Sequence, residues 1–189
     1  MADTSQSLDR LSDQLSTQPK QRGLPPVEKW NPPLSGDIDI CIKRDGTWLH
    51  EGTPILRKEL VSLFSTILKR EGDEYFLVTP VEKWRIQVED APLHAVAMSE
   101  VRVDQQPALQ FETMTGDLVV ADAQHPIRVT HDSQSGEPSP YILVRRNLEA
   151  LINRNVFYQL VDLAQEVEED GSKKLYVSSA GERFLLGNY

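Results

Sequence analysis

The side chains best suited to chemistry in this sequence are basic residues that occur in adjacent pairs. One pair, Arg145-Arg146, follows the apolar run Tyr141 to Val144 and directly precedes Asn147, a residue that favours the start of a helix. Guanidinium groups beside a helix N-terminus form a binding site for phosphate or carboxylate. Arg154 lies about two helical turns further on and can join them. The pattern predicts an anion site here.

The sequence contains no motif that indicates an enzyme. His50-Glu51 begins like the helix of a zinc protease, but Pro54 stands where the second histidine is needed. Asp37 and Asp39 share a strand face that is more often simply solvated. The histidines are scattered, and neither a Gly-x-Ser-x-Gly elbow nor a Gly-rich phosphate loop is present. We expect no metal, no cofactor and, on balance, no catalysis.

Composition narrows the classes of partner. The 189 residues carry 20 Lys plus Arg against 29 Asp plus Glu, a net charge of −9, and one cysteine, Cys41. An acidic chain is a poor binder of nucleic-acid polymers, whose affinity comes largely from phosphate neutralisation. No apolar run reaches the length of a membrane span, and the start lacks the features of a secretory signal. These features predict a soluble, cytoplasmic protein without a membrane partner.

The first half of the chain alternates strand and helix signals. Residues 1–23 are expected to form a flexible tail, because Leu8, Leu11 and Leu15 are their only apolar stripe. Period-two alternation predicts a strand over Ile38 to Ile42 that turns at Asp45-Gly46. A helix is expected to begin at Thr53-Pro54 and to end with Lys69-Arg70 before Gly72, and two strands follow, Tyr75 to Val78 and Trp84 to Val88.

The second half reads mainly as strands. We expect them at Val96 to Met98 with Val101 and Val103, Leu109 to Thr113, Leu118 to Val120, Ile127 to Thr130, Tyr141 to Val144, Leu175 to Val177 and Phe184 to Leu186. Apolar spacing from Leu148 to Val167 predicts a long helix capped by Asn147. The step Asn153-Arg154-Asn155 is the one place where that helix is expected to break.

The order of elements predicts an α+β fold of two small domains. A weak echo relates Tyr75 to Thr79 with Lys174 to Ser178, and Trp84 stands roughly where Phe184 does. It suggests a duplicated motif of strand, turn, helix, strand and strand, although identity at this level also arises by chance. The expected boundaries are a tail at 1–23, an N-terminal α+β domain at 24–91 and a C-terminal domain at 92–189.

The sequence resembles a bacterial family in ordered blocks that cover nearly everything after residue 23. The blocks are Trp30-Asn31-Pro32-Pro33, Gly36-Asp37-Ile38-Asp39, Asp45-Gly46-Thr47-Trp48, His50-Glu51-Gly52-Thr53-Pro54-Ile55, Val78-Thr79-Pro80-Val81-Glu82-Lys83, Pro140-Tyr141, Arg145, Leu148-Glu149-Ala150-Leu151-Ile152, Arg154 and Val156-Phe157-Tyr158. The family is the one catalogued as domain of unknown function 1285. The resemblance implies a duplicated motif, a C-terminal domain like a pleckstrin-homology (PH) barrel, a nucleotide-like ligand in a cleft between the domains, and a role in signal transduction.

Residues and resemblance together define a predicted ligand site. Lys83 and the arginines would neutralise phosphate, while His50 or Trp48 would contact a base or ribose. The carboxylates Glu51 and Glu82 fit only if they pair with those cations. The complete set is Trp48, His50, Glu51, Glu82, Lys83, Arg145, Arg146 and Arg154.

Two functions remain open from the sequence. The first is a sensor module that binds a small anion, such as a nucleotide-like molecule, and passes its state to a protein partner. The second is a non-catalytic protein-interaction module in which the same charged residues only hold the structure together.

Overall fold

A computed structural model describes residues 4–16 and 23–188, which divide into two compact units, 1–90 and 91–189. The chain is a two-domain α+β protein, and more of the described residues lie in strands than in its three described α-helices. Among the described residues, no helix is long and apolar enough to cross a membrane.

The first unit is built on a six-stranded sheet with α-helices and a short 3-10 helix, Val27–Lys29. The elements are α1 (Thr4–Ser16), β1 (Leu34–Ile42), β2 (Trp48–His50), β3 (Thr53–Pro54), α2 (Lys58–Thr66), β4 (Leu68–Glu71), β5 (Glu74–Val78) and β6 (Lys83–Val88). The strand order is β3-β2-β1-β6-β5-β4, and the central pair, β1 and β6, runs parallel. One face of β1 carries the buried residues Ile38, Ile40 and Ile42, as the alternation predicted.

The expectation of a flexible N-terminal tail is corrected for the described residues of that segment. Thr4–Ser16 form α1, which contacts α2 and β1. Leu11 is fully buried. The helix therefore has the tertiary partner that its apolar stripe requires, which the local sequence could not reveal.

The prediction that a helix begins at Thr53-Pro54 is wrong. These two residues pair with Leu49 and His50 as β3, and α2 begins only at Lys58. The predicted C-terminal pair Lys69-Arg70 lies in β4, which forms a hairpin with β5. Pairing with β5 places successive side chains of β4 on opposite faces of the sheet.

The second unit contains a six-stranded sheet and a three-stranded sheet. Its elements are β7 (Leu93–Val103), β8 (Gln106–Thr113), β9 (Leu118–Val120), β10 (Ile127–His131), β11 (Pro138–Arg145), β12 (Leu148–Ile152), α3 (Arg154–Leu163), β13 (Gln165–Glu169), β14 (Ser172–Ser179) and β15 (Glu182–Asn188). The larger sheet has the order β10-β11-β12-β7-β8-β9, and β12 and β7 are parallel. The smaller sheet has the order β13-β14-β15.

The long helix predicted from Asn147 is wrong over its first part. Residues Leu148–Ile152 form β12, in which Leu148, Ala150 and Ile152 are buried at alternate positions. The helix begins after Asn153, at the step where the sequence suggested a break. The run after Leu163 is also a strand, β13.

A buried hydroxyl joins the two sheets of the second unit. The Leu109 backbone N–H donates to Ser179 Oγ at 2.8 Å, and Ser179 Oγ donates to the Ala121 carbonyl at 2.6 Å. The Ala180 N–H also donates to the Pro107 carbonyl, at 2.9 Å. These bonds connect the end of β14 to β8 and to the residue after β9, so the smaller sheet is anchored by hydrogen bonds as well as by packing.

The two six-stranded sheets share one topology. Number the strands of each sheet from one to six along the chain. Read from the edge strand β3 in the first sheet and from the edge strand β9 in the second, both orders are third, second, first, sixth, fifth, fourth. In both sheets the first and sixth strands are parallel. The sequence echo relates different elements, because Lys174 to Ser178 belong to β14 of the smaller sheet and Tyr75 to Val78 belong to β5.

Candidate functional site

Three of the predicted site residues lie on or beside β2 in the first unit. Trp48 pairs with Ile42 and is 4% exposed, so its ring is part of the core. His50 is half-buried and pairs with Ile40. Glu51 is an exposed turn residue with φ of 49°, and its N–H donates to the Asp39 carbonyl at 3.0 Å. The indole ring of Trp48 is therefore enclosed by packing.

Glu82 closes the turn that leads into β6. Its N–H donates to Thr79 Oγ1 at 3.0 Å, and its carbonyl accepts from the Thr79 N–H at 2.9 Å. Its carboxylate accepts a hydrogen bond of 3.3 Å from Gln14 Nε2 on α1. The turn places the next residue, Lys83, at the start of β6, opposite Val78 on β5.

Lys83 shares a face of the first sheet with a second lysine, Lys69, that the sequence analysis did not assign to the site. The Lys83 ammonium forms a salt bridge with Glu71 and lies 4.4 Å from the centroid of the Phe76 ring. Lys69 Nζ lies 3.2 Å from the other oxygen of Glu71 and donates to Asn31 Oδ1 at 2.8 Å. Lys69, Glu71, Phe76, Lys83 and Asn31 are here called the two-lysine cluster.

Strand register brings this cluster together. Phe76 is directly opposite Lys69 on β4 and Arg85 on β6, so all three side chains project from one face. Glu71 and Lys83 are each two residues from a member of that row, which returns them to the same face. The two-residue period of β4 could have shown that Lys69 and Glu71 share a face. The sequence analysis missed it because it assigned this segment to the end of a helix.

The two-lysine cluster combines two largely buried positive charges with one partly exposed negative charge. The side chains of Lys69 and Lys83 are only 15% and 16% exposed, whereas that of Glu71 is 38% exposed. The hydrogen bond from Lys83, reinforced by that from Lys69, lowers the pKa of Glu71 below its ordinary value. Two ammonium groups, that of Lys83 lying over an aromatic ring, converge on one anion, here the carboxylate of Glu71.

The neighbouring charges on this face are also paired. Arg85 NH1 lies 2.8 Å from Asp37 Oδ1, and its Nε lies 2.8 Å from Glu74 Oε1. Lys69 Nζ also donates to the Trp30 carbonyl at 3.0 Å. Trp30 packs against a small apolar cluster that includes Phe76, so a half-buried indole adjoins the two lysines.

The structure corrects the expected setting of the arginine pair in the second unit. Arg145 ends β11, and Arg146 is a turn residue with φ of 54° that leads into β12. Because a strand follows, the pair does not precede a helix N-terminus, and β12 separates it from Arg154. Arg154 begins α3 and forms an exposed salt bridge with Glu137.

Arg145 is held inside its own unit. Its guanidinium forms a salt bridge with Asp117, and the two side chains are 9% and 16% exposed. Asp117 Oδ2 accepts hydrogen bonds from Thr113 Oγ1 at 2.9 Å and from Thr115 Oγ1 at 3.1 Å. Partial burial lowers the pKa of Arg146 from its ordinary value. This network is consistent with a structural role for Arg145.

The described residues also include a free thiol and a cleft. Within 4–16 and 23–188 no group of three His, Cys, Asp or Glu side chains is placed to hold a metal ion. Cys41 is a free, half-buried thiol whose pKa is raised by burial and by Glu89. A cleft of about 130 Å³ opens in the second unit between β8, β14 and the end of α3.

Comparison with known proteins places the chain in a family. Residues 25–91 match the family model described as "Domain of unknown function (DUF1285), N-terminal domain". Residues 92–186 match the model described as "Protein of unknown function (DUF1285), C-terminal domain". No curated protein matches the sequence.

Two solved structures are similar to this chain. A DUF1285 family protein from Silicibacter pomeroyi DSS-3 is 48% identical, with 93% of each chain covered and a TM-score of 0.82. A DUF1285 family protein from Shewanella baltica OS155 is 33% identical, with 65% of this chain and 90% of that chain covered and a TM-score of 0.52. With both family models matched in order along the sequence, the chain belongs to the DUF1285 family.

Proposed function

We propose that this protein is a non-catalytic module that binds a small anionic ligand at the two-lysine cluster of its first unit. One observation carries the proposal: two largely buried ammonium groups, those of Lys69 and Lys83, converge on one carboxylate. Hydrogen bonds between ionised partners are the strong ones, and the ligand's phosphate or carboxylate would take the place of Glu71.

Glu71 is suited to being displaced. It lies at the end of β4, an edge strand, and its side chain is the most exposed of the three charged groups. Its carboxylate is already partly hydrated, so it can turn out into water with less rearrangement than either of the more buried lysines. The internal carboxylate competes with the ligand, so its removal should strengthen binding.

The surroundings favour an anion that also carries a flat or apolar group. Phe76 lies under Lys83, and Trp30 adjoins the same apolar cluster. Phe76 is only 3% exposed, so a base or another planar ring would gain area and stacking energy on the half-buried indole of Trp30. A nucleotide-like ligand combines both features, and a change of ligand state passed on to a protein partner would give the signalling role.

The test is a thermal-shift screen with inorganic phosphate, dicarboxylates, and mono-, di- and cyclic nucleotides. A ligand present at about 100 times its dissociation constant adds about 2.7 kcal/mol to the free energy of unfolding. Glu71→Gln should bind the same compound more tightly, and Lys83→Met should abolish the shift. Lys43→Met is the matched control, because Lys43 forms a salt bridge with Glu89 outside the cluster.

A second candidate function, that of a protein-interaction module, is favoured because the lysines and Arg85 around the cluster are all paired with carboxylates. Lys69 and Lys83 share Glu71, and Arg85 contacts both Asp37 and Glu74, so this network can serve stability alone. A flat response of both the wild type and Glu71→Gln to the whole panel would favour a protein-interaction module. In that case Lys83→Met should lower the melting temperature of the protein alone, because its only effect would be to remove a stabilising salt bridge.

We also propose that the two units arose by duplication at the level of their six-stranded sheets. The shared strand order and the parallel pairing of first and sixth strands support this origin. The likeness of the C-terminal domain to a PH barrel remains a hypothesis that rests on the family resemblance.

A further inference from the structure

The two-lysine cluster carries more positive charge than its own carboxylate balances. Lys69 and Lys83 each form a salt bridge with Glu71, and neither forms one with any other residue in the described part of the chain. Two ammonium groups therefore share one negative charge. Because both lysine side chains are largely buried, water replaces little of the missing partner. The cluster thus holds one positive charge in excess.

The next side chain of β6 on the same face, Arg85, does not cancel this excess. Its guanidinium contacts Asp37 and Glu74 at 2.8 Å each, and both of these carboxylates are more than half exposed. Their charge is engaged by Arg85, and solvent screens what remains of it. The lysines are much less exposed, so their excess charge lies where screening is weakest.

The two ammonium groups also converge on a single group of atoms. Lys69 Nζ lies 3.2 Å from Oε1 of Glu71, and the Lys83 ammonium contacts Oε2 of the same carboxylate. An anion that takes the place of Glu71 must therefore carry its oxygens on one central atom. A dicarboxylate spreads its two charges over separate carbon atoms. A phosphate monoester carries close to two negative charges on the oxygens of one phosphorus atom at neutral pH.

Asn31 supplies donors for a further oxygen of such a ligand. Lys69 Nζ donates to Asn31 Oδ1 at 2.8 Å and to the Trp30 carbonyl at 3.0 Å, which leaves its third N–H for Glu71. Since Asn31 Oδ1 accepts from the lysine, the Nδ2 group of the same planar amide lies beside that ammonium group and carries two N–H donors. An amide in this place can donate to an oxygen that the lysines leave free.

We propose that the ligand of this site is a phosphate monoester in its dianionic form, an inference that rests on the anion site proposed above. A singly charged ligand that displaces Glu71 exchanges one negative charge for another, and it competes with a carboxylate that is tethered at high effective concentration. A dianion balances both lysines, which the chain's own carboxylate does not. Charge-assisted hydrogen bonds from Lys69 and Lys83, with one from Asn31, hold the three phosphate oxygens. The ester oxygen carries the organic group, which can lie against the half-buried indole of Trp30.

The experiment compares phenyl phosphate with phenyl sulfate by isothermal titration calorimetry of the full chain at pH 8. The two compounds have nearly the same shape, but at this pH the phosphate is a dianion and the sulfate a monoanion. We expect phenyl phosphate to bind about tenfold or more tightly than phenyl sulfate. Benzoate, a monoanion, and succinate, a dianion with separated charges, should bind as weakly as phenyl sulfate.

Variants assign the charge preference to the two lysines. Lys83→Met should weaken binding of phenyl phosphate about tenfold or more and abolish its preference over phenyl sulfate, because one ammonium group remains. Lys69→Met should have the same effect, and the comparison of ligands in the wild type depends on neither variant. Glu71→Gln should strengthen binding of both compounds and keep the preference. Lys43→Met is the matched control, because Lys43 pairs with Glu89 outside the cluster.

The possible outcomes distinguish the choice of ligand from the anion site itself. Equal binding of phenyl phosphate, phenyl sulfate and benzoate, lost in Lys83→Met, would overturn the choice of a dianion and leave an anion site at the cluster. Succinate binding as tight as that of phenyl phosphate would overturn the requirement for two charges on one atom. Both proposals would be overturned if neither the wild type nor Glu71→Gln bound any of these compounds at millimolar concentration. Both would also be overturned if Lys83→Met and Lys43→Met bound phenyl phosphate as tightly as the wild type.

Discussion

Arg145 and Asp117 form a largely buried salt bridge that joins the end of β11 to the turn between β8 and β9. The strands on either side of this contact are not neighbours, because β12 and β7 separate β11 from β8 in the sheet. The salt bridge therefore connects two strands that are not joined to each other by backbone hydrogen bonds. Two threonine hydroxyls complete the hydrogen bonding of the Asp117 carboxylate.

Removing both members of this pair should cost less than the sum of the two single removals. Arg145→Met or Asp117→Asn breaks the salt bridge and leaves the remaining charge largely buried, a change that costs about 3–5 kcal/mol in comparable buried pairs. The double variant should lose less than the sum of the single losses, because no isolated charge remains. Urea unfolding of the four proteins measures the coupling, and strict additivity would mean that the salt bridge does not contribute as a pair.

Acid should weaken the two-lysine cluster through Glu71. Its pKa is lowered in the folded protein, first by Lys83 and then by Lys69, from an ordinary value of 4.5. The resulting stabilisation is fully present above pH 4.5 and is lost as the pH falls through the folded pKa. Urea midpoints between pH 6 and pH 3 should show the wild type and Glu71→Gln converging in acid.

A control on the same unit makes that measurement specific. Glu59 is an exposed glutamate in the first turn of α2. The gap between the wild type and Glu59→Gln should stay small across the same pH range. If the gap for Glu71→Gln were constant with pH, the two lysines would not be stabilising the charged form of Glu71.

Gly36 should resist substitution because of its backbone and its neighbour. It lies in β1 with φ of +143°, and a Cβ there would stand 3.4 Å from Cζ3 of Trp84. Gly36→Ala should destabilise the protein by about 1–3 kcal/mol, the cost of forcing an L side chain into a rarely populated region. Gly187→Ala is the control, because Gly187 has no positive φ and open space around its Cβ position. Equal melting temperatures for the two variants would contradict this account.

Local alternation was enough to predict most strands of this fold. Ile38 to Ile42 and Trp84 to Val88 lie within β1 and β6, and Asp45-Gly46 forms a turn between β1 and β2. The segments Leu109 to Thr113 and Leu118 to Val120 are also strands. In each case one set of alternate residues is apolar, and a turn residue marks the end.

The errors occurred where one pattern suited two structures. Leu148, Leu151 and Ile152 fit a helical face, yet Leu148, Ala150 and Ile152 also alternate, and the alternating set is the one buried. Pairing of β12 with β7 across more than 50 residues decided between them, and such a contact leaves no local trace. Thr53-Pro54 likewise suits a helix start as well as the two-residue strand it forms.

The same difficulty limited prediction of the candidate site. Lys83 was identified from its motif, but Lys69 and Glu71 were missed because the helix was extended through them. Their partnership depends on the register of β4 against β5 and of β5 against β6. The sequence alone identifies the charged residues. The convergence of Lys69 and Lys83 on Glu71 follows only from the pairing of the strands that carry them.

Docking of α1 can be tested through Leu11, which is fully buried. Leu11→Ala should destabilise the contact of α1 with α2 and β1 by up to about 2–5 kcal/mol, the usual cost of truncating a buried leucine. Trypsin should then cleave after Arg10, an exposed residue of α1, faster than in the wild type, because cleavage requires local unfolding of the helix. Leu24→Ala is the control, since Leu24 is 47% exposed and its truncation should leave the cleavage rate unchanged. Rapid cleavage at the same rate in all three proteins would mean that the segment is not held against the first unit, and the sequence-based expectation of a flexible tail would then be right.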